Sequence, residues 1–313
     1  MEYPHQPVLL QRCLDLFAPA LDIANAVCVD MTLGMGGHSE ALLNRFPELT
    51  LIGIDRDPKA LEIAGERLAR FSDRTHLVSA TYDQLAEVLR DLNVARVQGV
   101  LGDLGVSSLQ LDEVSRGFAY SRESGLDMRM DPREELTAEV IVNEYSAPEI
   151  VRILREYGEE RFAPRIASAI LRERAIGRLT SSSQLVDIVR DAIPAATRRT
   201  GGNPAKRTFQ ALRIAVNDEL GILERAVPQS LQVLEVGGRV VMMAYHSLED
   251  RIVKRYFMAA VASDTPIDLP VDMPSLAAKF RAVAKGESPS ESEILENPRA
   301  ASARLRAVER VAA

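Results

Sequence analysis

Cysteine is scarce in this chain: Cys13 and Cys28 are the only two in 313 residues. That excludes a disulfide framework and points to a reducing compartment. Cys28, inside the apolar run Ala26-Val27-Cys28-Val29, reads as a small buried hydrophobe. No window approaches the roughly 18 apolar residues of a membrane span. The first residues, Met1-Glu2-Tyr3-Pro4-His5, lack the basic and apolar regions of a signal peptide, so a cytoplasmic protein is expected. Positive charge is not in excess either. A formal net charge of −7 excludes binding nucleic acid through bulk charge but leaves a local basic site open. Acidic residues are missing from 192–217, where Arg198, Arg199, Lys206, Arg207 and Arg213 all fall. A solvated loop leading into a basic helix start and a nucleic-acid contact are both open readings of that stretch.

What is present is an ordinary globular composition, 46% hydrophobic and 27% charged, and enough chain for about two domains. Four short apolar runs end in polar residues: Ala26 to Asp30, Leu49 to Asp55, Val97 to Asp103, and Arg239 to His246. Continuous runs such as Val240-Val241-Met242-Met243 suit a parallel sheet covered on both faces. Helical patterns at about Ser39 to Arg45, Pro58 to Phe71 and Tyr82 to Leu92 alternate with them, which predicts a doubly wound α/β domain. From about Leu111 to Ala205 the rhythm changes to helix signals only. Ser146-Ala147-Pro148-Glu149 and Ser181-Ser182-Ser183-Gln184 are starts, and Gly158 and Gly177 are stops. This predicts a helical domain, 111–205, inserted into an α/β domain built from 1–110 and 206–313. A helix is expected over Lys206 to Val227. The Pro-, Ser- and Glu-rich stretch from Ala262 to Arg299 reads as partly irregular. Arg304 to Val311 reads as a final strand or helix.

Doubly wound sheets bind ligands beyond the carboxyl ends of their strands, where Asp30, Asp55, Asp103 and His246 fall. The dinucleotide fingerprint G-x-G-x-x-G is absent. Instead Asp30 precedes a loop with Gly34, Gly36 and Gly37, which lets the backbone turn tightly and approach a ligand. A pyrophosphate wants bare amides at a helix start. An acid beside the loop suits the ammonium of S-adenosylmethionine, and Asp55 suits a ribose diol. A methyltransferase is therefore favoured over a dehydrogenase, with a turn that binds nothing as the plain alternative. After the third strand, Asp103 with Ser107 and Ser108 supplies acceptors that would localise the lone pair of an exocyclic amine for in-line attack. A role limited to positioning the cofactor or capping a helix stays open for Asp103. His246 reads equally as a substrate or proton contact and as a helix-entry residue.

These stretches resemble one family, the MraW (RsmH) methyltransferases of bacterial 16S rRNA. The resemblance is carried along the whole chain by His5-Gln6-Pro7-Val8-Leu9-Leu10, Gly34-Met35-Gly36-Gly37-His38-Ser39, Gly53-Ile54-Asp55-Arg56-Asp57 and Asp103-Leu104-Gly105-Val106-Ser107-Ser108. Arg116-Gly117-Phe118, Leu126-Asp127-Met128-Arg129-Met130-Asp131, Tyr157-Gly158-Glu159-Glu160-Arg161-Phe162, Arg207-Thr208-Phe209-Gln210 and His246-Ser247-Leu248-Glu249-Asp250-Arg251 continue it. The resemblance implies a Rossmann-like class I methyltransferase sheet with S-adenosylmethionine as cofactor. It implies methylation of N4 of a decoding-centre cytidine, position 1402 in the standard numbering, within the small (30S) ribosomal subunit. It also implies cofactor contacts from Gly36, Gly37, His38, Asp55, Tyr82, Asp103 and Gln110, and it allows a homodimer. No metal is called for. Tyr82 and Tyr245 stand where the family commonly has Phe. The aminomethyltransferase signature Asp-Pro-Pro-Tyr is missing, but the family uses Asp-Leu-Gly-Val-Ser-Ser at that place. The basic stretch with Arg198, Arg199, Lys206 and Arg207 then reads as an RNA-phosphate contact, and the helical insert as the place that receives a base turned out of its strand. A different methyl acceptor (DNA or protein) and a ribosome-assembly factor that binds the cofactor without turnover remain as alternatives.

Overall fold

A computed structural model of the chain describes residues 7–119, 123–194, 203–263 and 276–313. In chain order the first unit begins α1 (Leu10–Leu21), β1 (Val27–Asp30), α2 (Gly37–Arg45), β2 (Thr50–Asp55), α3 (Pro58–Leu68), β3 (Thr75–Ser79), α4 (Leu85–Asp91) and β4 (Val97–Asp103). Helices α5 (Ser108–Asp112), α6 (Ala138–Glu144), α7 (Ala147–Gly158), α8 (Ala163–Arg174), α9 (Ser182–Ala192) and α10 (Lys206–Asn217) follow. The chain closes with α11 (Glu219–Gln232), β5 (Leu234–Ala244), α12 (Ser247–Ala260), β6 (Phe280–Glu287), α13 (Glu291–Glu296) and β7 (Arg304–Arg310). The chain divides into two compact units, Met1–Gly105 with Leu220–Ala313, and Val106–Glu219.

The first unit is a seven-stranded sheet of order β3-β2-β1-β4-β5-β7-β6. β1 to β5 pair in parallel, and β7 runs antiparallel between β5 and β6. Alternate strand residues feed two cores. Cys28, Leu51, Leu101, Val241 and Leu305 pack with residues of α1, α2 and α3. Val29, Ile52, Val100, Val240 and Val308 pack with residues of α4, α11 and α12. Burial on both faces is why these strands read as unbroken apolar runs. Strand order reverses at β1, so the crevice beyond β1 and β4 is the topological switch point where such sheets take ligands.

The second unit is helical. Among its described residues there is no strand, only an isolated bridge between Gly125 and Ser181. Its core joins Ile141, Ile150, Leu154, Ile166, Ile170, Leu185, Phe209 and Leu212 from α6 to α10. Helix α7 ends at Gly158, whose missing side chain lets α10 approach: a Cβ there would sit 2.7 Å from the Arg207 carbonyl oxygen.

Three expectations need correction. The helix expected over Lys206 to Val227 is two helices, broken at Asp218, whose φ is +48°. The buried Asn217 side chain is turned to other work, accepting from Met130 N–H at 2.7 Å and donating to the Met128 carbonyl at 2.7 Å. As a result α10 belongs to the helical unit, and the compact units meet at Gly105/Val106 and Glu219/Leu220 rather than at 110/111 and 205/206. Strand β3 falls in a stretch read without a strand, because its residues are mostly half-buried at a sheet edge. The region expected to be partly irregular includes β6 and α13 among its described residues, which that expectation allows, and Arg304–Arg310 takes the strand alternative. No helix among the described residues is long and apolar enough to cross a membrane.

Candidate active site

The switch-point edge is assembled by backbone bonds that bring three strand ends together. Met31 N–H donates to the Leu101 carbonyl at 2.9 Å, Leu33 N–H to the Ile54 carbonyl at 3.0 Å, and Asp103 N–H to Thr32 Oγ1 at 2.7 Å. The loop after β1 turns through Gly34 and Gly36, both left-handed at φ +51° and +76°. That region suits glycine because it has no Cβ to clash. Gly37 is a glycine for another reason. A Cβ there would lie 2.7 Å from Pro7 Cγ, so the N-terminal segment occupies that space.

Asp30 is buried and spent on local order: Oδ2 accepts from Ser39 Oγ at 2.7 Å and Oδ1 from Thr32 N–H at 3.2 Å. Asp55 Oδ2 accepts from Gly34 N–H at 2.7 Å and Oδ1 from Asp57 N–H at 2.9 Å, which fixes the carboxylate plane against the glycine loop. His38 is buried on α2, its Nε2 3.0 Å from the Val8 carbonyl. Donation through Nε2 turns Nδ1 toward Asp103 Oδ2, 3.8 Å away. The other Asp103 oxygen accepts from Tyr245 Oη at 2.6 Å. Asp103 is 27% exposed, so Oδ1 is anchored by the tyrosine and Oδ2 is free of hydrogen bonds.

Electrostatically this edge is unbalanced. Among the described residues no lysine or arginine forms an ion pair with Asp30, Asp55 or Asp103. Burial pushes the Asp55 carboxyl up to about 6 against the lowering effect of the Asp57 and Gly34 N–H groups. Burial likewise raises Asp30, opposed by Ser39 and His38, and raises Asp103, opposed by His38 and the Tyr245 hydroxyl. Loss of water with no cation in return is the common cause. Such an edge suits a ligand that brings its own positive charge. The ammonium and sulfonium of S-adenosylmethionine do so, and its ribose hydroxyls can donate to the remaining lone pairs of Asp55. The residues present therefore fit that cofactor.

The other expected residues fall as follows. Tyr82 opens a single 3-10 turn after β3, beside the sheet edge that carries Asp55. Ser107, Ser108 and Gln110 belong to the helical unit. There Ser107 Oγ accepts from Gln110 N–H at 3.3 Å and Gln110 Oε1 from Ser107 N–H at 3.1 Å, a reciprocal cap on α5. His246 is the N-cap of α12. Its Nδ1 accepts from Glu249 N–H at 3.4 Å, and its Nε2 lies 3.2 Å from Glu249 Oε1. The helix-entry reading thus accounts for its Nδ1 contact. Lys206 and Arg207 start α10, with Arg207 Nη1 donating to the Glu159 carbonyl at 3.1 Å. Arg198 and Arg199 lie outside the described residues. Sequence reasoning missed Tyr245 and Glu249 as site residues. Buried Glu249 accepts from both Tyr245 N–H and His246 N–H and so shapes the end of β5. The only signal for the tyrosine was its departure from the common Phe.

Sheet order and ligand edge together are those of an S-adenosylmethionine-dependent methyltransferase. The family follows from comparison with known proteins: the model of the MraW methylase family matches residues 2–311, and the chain belongs to that family. It is 60% identical over 308 residues to the ribosomal RNA small subunit methyltransferase H of Saccharopolyspora erythraea, covering 98% of this chain and 93% of that protein. It is 57% identical over 313 residues to the protein of the same name from Renibacterium salmoninarum, covering 98% and 95%. Among solved structures, an rRNA methylase from Streptococcus thermophilus matches at 13% identity over 96% of this chain and 95% of that one, with a TM-score of 0.44.

Proposed function

We propose that this chain methylates small-subunit ribosomal RNA within the 30S subunit, at the exocyclic N4 of the decoding-centre cytidine numbered 1402. The small-subunit substrate is supported by relatives 56–60% identical that carry that activity in their names. The amine is supported by one observation: Asp103 stands at the switch point with Oδ1 held by Tyr245 and Oδ2 free of hydrogen bonds.

An exocyclic amine is a weak nucleophile because its lone pair is delocalised into the ring. Asp103 Oδ2 accepts one N–H, which turns the lone pair toward the methyl carbon and concentrates it on nitrogen. S-adenosylmethionine supplies a methyl group on a positive sulfur with a neutral thioether as leaving group. On transfer of that methyl group the amine nitrogen would have to lose a proton. Asp103 Oδ2 is assigned to hold it, a role supported by the burial that raises its affinity for a proton. Asp55, Gly36, Gly37, His38 and Tyr82 are assigned to the cofactor, and Asp103 to both the cofactor and the amine. Gln110 is assigned to the cofactor, and Ser107 and Ser108 to the amine, on the family resemblance rather than on geometry. Lys206 and Arg207, with Arg198 and Arg199, are assigned to RNA phosphates. A proton role for His246 is tested by His246→Asn, which keeps an N-cap acceptor. Turnover and pH profile unchanged in that variant restrict His246 to its cap.

The deciding experiment is transfer of labelled methyl from S-adenosylmethionine to small subunits lacking base modification, with the nucleoside identified by mass spectrometry. N4-methylcytidine in the decoding-centre fragment is the expected product. Label absent from subunits while the cofactor still binds overturns the reading in favour of another acceptor or a binding role without turnover.

A further inference from the structure

Residues 161–178 of the helical unit hold five arginines against one acid, Glu173. Two of the five are structural. Arg174 Nη1 donates to the carbonyls of Val142 at 3.1 Å and Tyr145 at 2.7 Å, and Arg178 pairs with Glu139 at 2.7 Å and Glu144 at 3.4 Å. The other three, Arg161, Arg165 and Arg172, are exposed together with Ser168. Their spacing puts all four on one face along α8 and the residues just before it. Arg161 lies over the Phe162 ring at 4.6 Å, and among the described residues neither it nor Arg165 has an acidic partner. Arg172 pairs only with its exposed neighbour Glu173, at 3.2 Å.

Two features turn this face into a track. Arg165, Ser168 and Arg172 line a groove of about 460 Å³ whose far wall includes Asp191, itself 3.4 Å from Arg190. At the other end, Arg207 bonds to the Glu159 carbonyl, two residues before Arg161, so the face continues into the basic start of α10. A guanidinium without a carboxylate partner offers a planar fork of donors that matches a phosphate.

We propose that this arginine face is a second contact for the RNA backbone, with Arg161, Arg165 and Arg172 on phosphates and the Ser168 hydroxyl donating between them. The inference rests on the rRNA reading above and extends its footprint from the start of α10 along about 16 Å of α8. Contacts of this kind set the register of the strand without reading its sequence.

The test uses the full chain with Arg161→Glu, Arg165→Glu and Arg172→Glu combined, all at exposed positions, beside Lys206→Glu with Arg207→Glu. The triple variant is expected to bind unmodified small subunits at least tenfold more weakly. Its slope of log affinity against log salt is expected to fall by about 2, since each phosphate no longer neutralised lowers the slope by somewhat under one. Cofactor affinity and melting temperature should stay at their starting values. Unchanged subunit affinity in the triple variant, with the Lys206 and Arg207 variant impaired, overturns the face and leaves the rRNA reading intact. Failure of the unsubstituted chain to bind or methylate subunits is instead the failure of that reading. A photo-crosslinker in place of Ser168 identifies the occupant. Adducts on rRNA support the proposal, and adducts confined to a ribosomal protein overturn it.

Discussion

Two regions of the molecule, the helical unit and the ligand edge of the sheet, treat acidic residues in opposite ways. In the helical unit three acids are matched with arginines: Asp127 with Arg129 at 2.7 Å, Asp131 with Arg133 at 2.7 Å, Glu219 with Arg213 at 2.8 Å. Burial works against the charge of Asp127, but the Arg129 bonds outweigh it and hold that carboxyl below its ordinary range. At the ligand edge of the sheet, Asp30, Asp55 and Asp103 have hydroxyls, amides and one imidazole but no arginine or lysine, and burial wins. Pairing secures a loop. Leaving carboxylates unpaired stores a preference for a cationic ligand, at some expense to the stability of the empty protein. The contrast separates residues kept for structure from residues kept for chemistry.

The contrast predicts that equal-looking substitutions split by unit. Asp103→Ala is expected to lower kcat by about 100- to 1000-fold, the size of losing one well-placed charge-stabilising group. The melting curve should change little, and the cofactor dissociation constant should rise by far less than kcat falls. Turnover within a few-fold of the unsubstituted enzyme ends the proposed role. Arg213→Ala should do the reverse. Removing it takes the ion pair from Glu219, whose side chain is 7% exposed, and is expected to destabilise the protein by about 3 kcal/mol. Activity per folded molecule should hold at low temperature, as denaturant titration beside single-turnover assays would show. A loss of turnover without loss of stability would mean the pairing does not serve structure alone.

Acidity gives the third test. Ionised Asp55 is the form that accepts ribose hydroxyls, and its carboxyl titrates at about 6. Cofactor affinity is therefore expected to fall as the pH drops through about 6, approaching tenfold per unit. The stability contribution of the same group has the opposite sense. Because its folded value is raised, that contribution is fully present below the ordinary 3.8 and is lost as the pH rises through about 6. Calorimetric titration from about pH 8 to about pH 5 measures the first effect. An affinity flat across that range removes Asp55 from the cofactor site.

Much of this was legible beforehand, for reasons that particular residues make plain. Strands β1, β2, β4 and β5 announce themselves because both faces are buried, so Leu51-Ile52 or Val240-Val241 leave no polar interruption. The terminal acids of β1, β2 and β4 mark the ligand edge because strand ends in such sheets share one side. The end of α10 was not legible. Asn217 is an unremarkable helix residue until its side chain is seen pinning the Met128–Met130 loop, a contact across nearly ninety residues of chain. Nor was the third glycine. Gly37 reads as part of a ligand loop, yet the atom that forbids a side chain there belongs to Pro7. Long-range packing of this kind leaves no periodic trace in sequence.

The smallest expected effect sharpens the comparison most, because it removes a single atom. Burial raises the Asp103 carboxyl, His38 from α2 and the hydrogen bond from Tyr245 oppose that rise, and Asp30 from β1 and Glu249 from α12 add to it. Tyr245→Phe takes away the hydroxyl and keeps the ring. Without that bond the Asp103 carboxyl rises further, so a larger share is protonated as the pH falls. The acid limb of the kcat profile is expected to move to higher pH, and kcat near neutrality to fall by about three- to tenfold, the size of an ordinary hydrogen bond. Cofactor affinity should stay put, because the cofactor side of the edge is ordered by Asp55 and the glycine loop. A uniform drop in kcat with the limb unmoved would make Tyr245 a packing residue. A moved limb would show that a hydroxyl helps to set the acidity of Asp103, where Asp127 of the helical unit has an arginine.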